Sequence, residues 1–260
     1  GGLLGQFGSR VPFYAAAVLC LVNFAYGYFI LPESLDKEHR RPFEWKRANP
    51  VGSLLKVRTH PEILKLFIAW FLVYLASHAV QTNWAYFTMY KFAWDEKTVG
   101  ISLGVMGAFT AFVQGFLIRK VHPKLGSERS ILYGIMFYCT GMLLFAFAQK
   151  EWMMYAILAI YCLGGIAGPA LQSVISSKVS PKEQGDLQGA LTSVISITSI
   201  IGPLLMTQIF YFFTHPDAKI KLLTLELKPP FQFSGAPFFL GFALMAVSAY
   251  FVYYVFHRKK

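Results

Sequence analysis

Long apolar runs are the dominant pattern in this sequence of 260 residues. A bilayer core about 30 Å thick requires roughly 20 apolar residues per helix. Because lipid cannot hydrogen-bond to a backbone, such runs are expected to be helical, and they lack the short alternating segments of a β-barrel. The pattern predicts an all-α, polytopic membrane helix bundle. The predicted spans cover about 11–31, 63–90, 99–121, 130–149, 152–177, 186–213 and 236–257.

The connections between these runs differ in basic charge. One alternating set holds 16 Lys and Arg, and the opposite set holds 7. Lys and Arg accumulate in the cytoplasmic connections of membrane proteins. We therefore predict a multi-pass protein of the cell inner (plasma) membrane whose basic connections and carboxy-terminus face the cytoplasm. The basic set comprises 32–62, 119–129, 178–185 and 258–260, and the opposite set comprises 1–10, 91–98, 149–151 and 214–235.

The connection 32–62 is the longest and divides the chain into three parts. We expect 1–31 to end an amino-terminal bundle, 32–62 to be a basic cytoplasmic linker and 63–260 to be a carboxy-terminal six-helix bundle. The linker either contacts anionic lipid or a gate, or it reflects only the ordinary bias of positive charge towards the cytoplasm. The opening GGLLG has the small-residue spacing of a packed membrane helix, so we expect the missing part of the amino-terminal bundle to precede it. The connection 214–235 either forms a small hairpin or simply covers the helix ends.

Composition and motifs exclude several other classes of protein. Apolar residues make up 55% of the chain and charged residues 14%, whereas about a quarter of a soluble domain is charged. The net charge of +11 raises the possibility of nucleic acid, but the charged residues lie between the apolar runs or at their ends, so we predict no nucleic-acid partner. No HExxH, phosphate-binding glycine loop, CxxC or nucleophile elbow occurs, and Cys20, Cys139 and Cys162 lie in separate runs. We predict no enzyme activity, no metal site and no cofactor.

Polar residues within the spans are costly in lipid and are therefore the best indicators of a substrate path. In the second span Tyr74, His78 and Gln81 follow one helical stripe. The imidazole of a histidine titrates near neutral pH, so His78 either takes part in a proton-linked step or is a neutral histidine that hydrogen-bonds in the core. Asn83 and Trp84 are expected near the outer end of this span, where they could contact substrate.

Three other spans carry comparable stripes, and the spans 130–149 and 236–257 are more uniformly apolar and are expected to be peripheral. Single Ser and Thr residues usually bond back to their own helix, so the coincidence of four stripes carries the prediction of a cavity. The further polar residues are Thr110, Gln114, Gln172, Ser176, Gln188, Thr192 and Ser196. The predicted substrate path consists of Tyr74, His78, Gln81, Gln114, Gln172, Gln188 and Thr192.

Two Gly-Pro pairs predict bends in facing helices. Gly168-Pro169 and Gly202-Pro203 would serve the rocking or gating of a transporter, or they would serve only helix packing. Between them, Ser180 and Glu183 have the spacing of a capping box, and Pro181 suits the first position of a helix.

These residues also carry a resemblance to a known family. Residues 164–172 read GGIAGPALQ, 180–189 read SPKEQGDLQG and 199–204 read SIIGPL. This stretch strongly resembles the tenth and eleventh helices of the tetracycline-efflux branch of the drug:proton antiporters, within the major facilitator superfamily. The opening GGLLG, Asn49-Pro50 and residues 145–148 match more weakly. The resemblance implies the end of helix 5 through helix 12 of a twelve-helix transporter.

The resemblance also implies a function. Tetracycline exporters carry an Asp within the ninth helix, where this chain has Tyr138, and some carry a His in the eighth helix, where it has Thr110. Coupling carboxylates are therefore expected in the amino-terminal bundle. The implied function is export of small amphipathic molecules, a tetracycline-like drug or a metabolite, by proton antiport and alternating access, with the proton gradient as energy source. The alternatives are a proton-coupled importer or uniporter of a nutrient, and a non-transporting membrane scaffold or sensor.

Overall fold

The computed structural model describes residues 4, 7–8, 10–32, 61–215, 220–222, 225–229 and 231–257. The predicted linker 32–62 therefore lies almost wholly outside the described residues, as do Asn49-Pro50, most of the opening GGLLG and the basic end 258–260. The division of the chain into three parts stays a prediction.

Eight α-helices make up most of the described chain. They are α1 (Val11–Phe29), α2 (Pro61–Phe92), α3 (Glu96–Phe112), α4 (Ile118–Phe147), α5 (Glu151–Leu163), α6 (Ala167–Ser176), α7 (Gln184–Thr214) and α8 (Ala236–His257). A π-helical segment, Val113–Leu117, joins α3 to α4, and the 3₁₀ turn Gly164–Ile166 joins α5 to α6. In both cases the helical run continues through the joining segment. Within the described residues six helical runs are long and apolar enough to cross a membrane.

One of those six runs contains two spans. It extends over Glu96–Phe147 and is 52 residues long, but Gly126 has φ 75° and ψ 169°, which no α-helix accommodates. A straight helix would separate Thr110 from Tyr138 by about 40 Å. Thr110 Oγ1 nevertheless lies 3.7 Å from Cys162 Sγ, and the Tyr138 and Tyr161 rings lie 4.8 Å apart. The chain therefore folds back at Gly126, and the seven predicted spans correspond to six helical runs, one of which holds two of them.

Small residues bring the helices of the 61–257 bundle close together. The Gly134 backbone packs on Ala167, and Gly141 packs on Tyr161, so that α4 lies directly against α5 and α6. Helix α8 packs on α2, where the Ser248 hydroxyl donates to the Ala69 carbonyl at 3.0 Å. Such interhelical hydrogen bonds contribute about 0.6 kcal/mol each in membranes. Close backbone approach at these glycines thus contributes to the packing of the described helices.

The two ends of this bundle differ. We call one end the link end; it contains the turn at Gly126, the segment 177–183 and His257. The opposite end, which we call the hairpin end, contains 93–95, 148–150 and two short strands. The strands β1 (Ile220–Leu222) and β2 (Leu225–Leu227) pair antiparallel, so the hairpin is the correct alternative for the connection 214–235. At the link end the predicted capping box is confirmed, since the Ser180 backbone N–H donates to Glu183 Oε2 at 3.2 Å.

Helix α1 stands apart from this packing. None of its residues is buried against the rest of the described chain. Its apolar side chains, among them Phe13, Leu19 and Phe24, are exposed. This exposure is what the predicted assignment of residues 1–31 to another bundle requires.

Candidate functional site

A cavity of about 330 Å³, here called the central cavity, lies between α2, the π-helical segment, α4, α6 and α8. Its lining mixes aromatic rings with uncharged polar groups, and it contains no Asp, Glu, Lys or Arg among the described residues. The lining residues are Trp70, Val73, Tyr74, Ser77, Gln81, Gln114, Tyr138, Gly165, Gly168, Pro169, Gln172 and Met245.

Four residues of the predicted path meet in this cavity: Tyr74, Gln81, Gln114 and Gln172. On α2, Ser77 links two of the lining positions, because its hydroxyl donates to the Tyr74 carbonyl at 2.7 Å and accepts from Gln81 Nε2 at 3.1 Å. Three carboxamides from three elements therefore surround one space. Each carboxamide offers both donors and an acceptor, so together they can orient a polar, uncharged group of a ligand.

Gln188 and Thr192, on α7, do not line the cavity. Gln172 Nε2 donates to Gln188 Oε1 at 3.2 Å, so the polar stripe of the cavity continues onto α7. Thr192 is exposed one turn further on, and its carbonyl accepts from the Ser196 hydroxyl at 3.0 Å. Ser196 thus bonds back to its own helix, as an isolated hydroxyl in a helix generally does.

His78 does not line the central cavity. It is 8% exposed and packs on Gly202 of α7, where an added Cβ would lie 2.8 Å from the His78 Cβ and closer still to the ring. A helical step of 100° places His78 about 60° from Gln81, which is enough to direct it at the neighbouring helix. Within the described chain its ring forms no hydrogen bond. His78 is therefore buried at the contact between α2 and α7, and its role in a proton-linked step stays a prediction.

Gln114 was predicted to line the cavity, but its bulge was not, and other contributors, Tyr138 and Met245 among them, were missed in the sequence. Gln114 lies in the π-helical segment Val113–Leu117, a type of bulge that is frequent at functional sites. Tyr138 and Met245 come from the two spans that were expected to be peripheral. Gly164 makes room for Tyr138, since an added Cβ would lie 2.5 Å from the Tyr138 ring. Tyr138 is thus a cavity-lining phenol.

The expectation that Asn83 and Trp84 contact substrate is wrong. Both side chains are buried inside the bundle, and the Trp84 indole donates to the Ser102 hydroxyl at 2.8 Å. Neither amide atom of Asn83 has a hydrogen-bond partner among the described residues. A position near the end of a span does not reveal whether the side chain faces a cavity or a neighbouring helix.

The two Gly-Pro pairs differ in their effect on the helix. Pro169 lacks an N–H and leaves the carbonyl four residues earlier, that of Gly165, without its helical donor. The 3₁₀ turn Gly164–Ile166 lies at this point, so the chain departs from α geometry beside the cavity. At Pro203, by contrast, α7 runs on unbroken from Gln184 to Thr214. Gating by either pair stays a prediction.

Comparisons with known proteins agree with this architecture. Residues 1–203 match the Major Facilitator Superfamily profile. The chain is 36% identical over 210 residues to the class C tetracycline resistance protein of Escherichia coli, covering 81% of this chain and 53% of that protein. It is 30% identical over 266 residues to the class H tetracycline resistance protein of Pasteurella multocida, covering all of this chain and 60% of that protein. The chain therefore spans about half the length of the curated relatives it matches.

A solved structure shares the fold. The human organic anion transporter MFSD10 (TETRAN) superposes with a TM-score of 0.75 at 18% sequence identity, over 94% of this chain and 57% of that one. At this identity the likeness concerns the fold alone. The predicted membrane bundle and the resemblance to the tetracycline-efflux branch are confirmed together: this chain is a multi-pass membrane protein that belongs to the Major Facilitator Superfamily, a family of transporters and not of enzymes.

Proposed function

We propose that this chain forms the carboxy-terminal part of a secondary transporter that exports small amphipathic molecules by proton antiport. The observation that carries the proposal is the central cavity, where Gln81, Gln114 and Gln172 converge with Tyr74 and Tyr138 inside a membrane bundle. Polar groups within a membrane are costly, and they mark substrate and ion pathways. The similarity to tetracycline resistance proteins supports export of a tetracycline-like drug or a metabolite.

The chemistry of the cavity restricts the substrate. Its aromatic walls suit a flat apolar body, and its carboxamides suit hydroxyl, carbonyl or amide groups. No charged side chain of the described lining would pair with an ionic group of the substrate. The volume of about 330 Å³ lies near the lower limit of the roughly 300–1,000 Å³ found for ligand sites. We expect the amino-terminal bundle of the same protein to supply the opposite wall.

His78 is the proposed site of the proton-linked step in this part of the chain. Its ring lies at the α2–α7 contact without a hydrogen-bond partner among the described residues, so a change in that contact would change its access to water. We expect His78→Ala to reduce proton-coupled transport more than it reduces folding. His215→Ala, at the hairpin end, is the control. Unchanged transport by the His78 variant at normal expression would eliminate this role.

The proposed setting is the inner membrane, with the link end and the carboxy-terminus in the cytoplasm. Four basic residues, Arg119, Lys120, Lys124 and Arg129, lie around the Gly126 turn and support this orientation. We further propose that anionic lipid contacts the basic connections at this face.

The test is proton movement in everted vesicles that contain the intact protein. Candidate compounds, including magnesium–tetracycline, are added one at a time while the luminal pH is recorded. Proton release on addition of one compound would establish antiport and identify a substrate class. Net flux in the opposite direction would favour the importer or uniporter, and silence across the panel with a folded protein would favour the scaffold or sensor.

A further inference from the structure

A second cavity lies at the hairpin end, away from the central cavity. It has a volume of about 560 Å³, and its walls come from the ends of α4, α7 and α8 and from the segment that precedes α8. Five phenylalanines dominate its lining: Phe147, Phe213, Phe231, Phe233 and Phe239. We call it the phenylalanine pocket. It is larger than the central cavity and plays no part in the proposed path.

The pocket is held open by fixed backbone contacts. The Phe233 N–H donates to the Phe213 carbonyl at 3.0 Å, which ties the segment before α8 to the end of α7. Gly235 lies directly against the Ala146 carbonyl, where any Cβ would overlap that group, so the same segment also closes on the end of α4. Ring contacts of 5.5 Å between Phe147 and Phe233 complete the wall. The space is therefore preformed by three elements and does not depend on one mobile side chain.

The chemistry of the lining selects the ligand. No described lining side chain of the phenylalanine pocket has a hydrogen-bond donor or acceptor. A drug-like molecule would leave its polar groups unpaired there, at a cost of about 1–3 kcal/mol for each group by protein mutational data. Sites for such molecules normally place a few polar groups among apolar ones. A hydrocarbon chain has no polar group that would be left unpaired, so it is the ligand that this lining suits best.

The pocket opens at the exposed apolar surface of the bundle. Phe231 is 61% exposed and Phe239 is 46% exposed at its rim, and the outward face of α8 continues with Val247 and the 63% exposed Tyr250. Lys228 is exposed and precedes Phe231 by three residues in the chain. The rim of the pocket is thus exposed and apolar, and Lys228, a cation that suits a phosphate, lies close to it in sequence.

From this geometry we propose that the phenylalanine pocket binds one acyl chain of a phospholipid from the leaflet at the hairpin end, with the headgroup phosphate near Lys228. The bound chain joins the ends of α4, α7 and α8. The proposal requires only that the bundle lies in a membrane, and it is independent of the transported substrate.

The experiment uses the intact protein in vesicles that contain a phospholipid with a photoreactive diazirine on its acyl chain. After illumination, labelled peptides are identified by mass spectrometry. We expect labelling to concentrate on 209–213 and 231–243. Ala243→Trp fills the pocket and should reduce this labelling about tenfold, which corresponds to about 1.4 kcal/mol of lost binding. Ala246→Trp, on the exposed side of the same helix, should leave it unchanged.

Several results would overturn the proposal. Labelling spread evenly along α8, as far as Tyr250, would show ordinary surrounding lipid. Labelling that survives Ala243→Trp, or a pocket that is never labelled, would show that lipid does not enter it. If the Trp variant fails to fold by gel filtration, Ala243→Leu provides the same comparison with a smaller side chain. Lys228→Gln should weaken the labelling, because this variant lacks the cation proposed to hold the phosphate. An unlabelled free fatty acid should compete less well than an unlabelled phospholipid.

Discussion

The contact between His78 and Gly202 provides a sharp test of how α2 and α7 pack. Gly202→Ala would place a Cβ within 2.8 Å of three atoms of His78, and both residues are buried. Overpacking of this kind costs about 1–3 kcal/mol. Where there is room for the added methyl group, replacement of a helical glycine by alanine stabilises a protein by roughly 0.5–1 kcal/mol. A Gly202→Ala substitution that the packing tolerates would therefore raise the stability and not lower it.

The assay is thermal unfolding of the purified intact protein. A change of 1 kcal/mol shifts the midpoint by about 2–4 °C in domains of roughly 150–250 residues, so we expect Gly202→Ala to lower it by several degrees. Gly189→Ala on the same helix is the control, because no described atom lies within 4 Å of its added Cβ. In a double-mutant cycle with His78→Ala, the coupling energy should be about 1–2 kcal/mol. A Gly202 variant as stable as the Gly189 variant, without coupling to His78, would refute the proposed packing.

Three further predictions concern other sites. Asn83→Leu removes a buried amide without described partners, so it should stabilise the protein by about 1–3 kcal/mol in thermal unfolding, and a loss of stability would indicate a missing partner. Asp95 caps α3, and the Thr98 hydroxyl and N–H hold the pKa of its carboxyl below the usual value. The stability that the cap contributes is therefore fully present above the ordinary pKa of Asp, and it is lost as pH falls through the lowered pKa. Hydrogen exchange at the Thr98 amide should show this loss in the wild type but not in Asp95→Ala. Gln172→Leu should reduce transport while the unfolding midpoint stays near that of the wild type, whereas equal transport would remove Gln172 from the path.

The helices were predictable because membrane burial imposes a simple demand. An apolar run long enough to cross lipid is visible in one dimension, and the run 236–257 coincides with Ala236–His257. The hydrogen bonds that end helices are also local, and the capping box at Ser180 and Glu183 followed from spacing alone. The turn at Gly126 falls within the predicted connection 119–129, and glycine tolerates the positive φ that this turn requires.

The sites were only partly predictable because they depend on which helix faces which. Periodicity placed Tyr74 and Gln81 on the correct face of α2, but it grouped His78 with them, although His78 packs on α7. Nothing local distinguishes a cavity-facing position from one that meets a glycine on another helix. The phenylalanine pocket depends similarly on Gly235 meeting Ala146, a contact between residues far apart in the chain.

If the central cavity is the substrate path, water must reach it during transport, and thiol labelling measures this access directly. Gln114→Cys and Gln172→Cys are made in a protein whose Cys20, Cys139 and Cys162 are replaced by alanine, and Ala246→Cys on the exposed side of α8 is the control. Vesicles are treated with a membrane-impermeant thiol reagent from either side, with and without the transported compound. We expect both cavity cysteines to react, the transported compound to slow their reaction, and the control cysteine to be unaffected by the compound. Cavity cysteines that do not react in an active transporter, or that react at a rate indifferent to the compound, would contradict a substrate path through the central cavity.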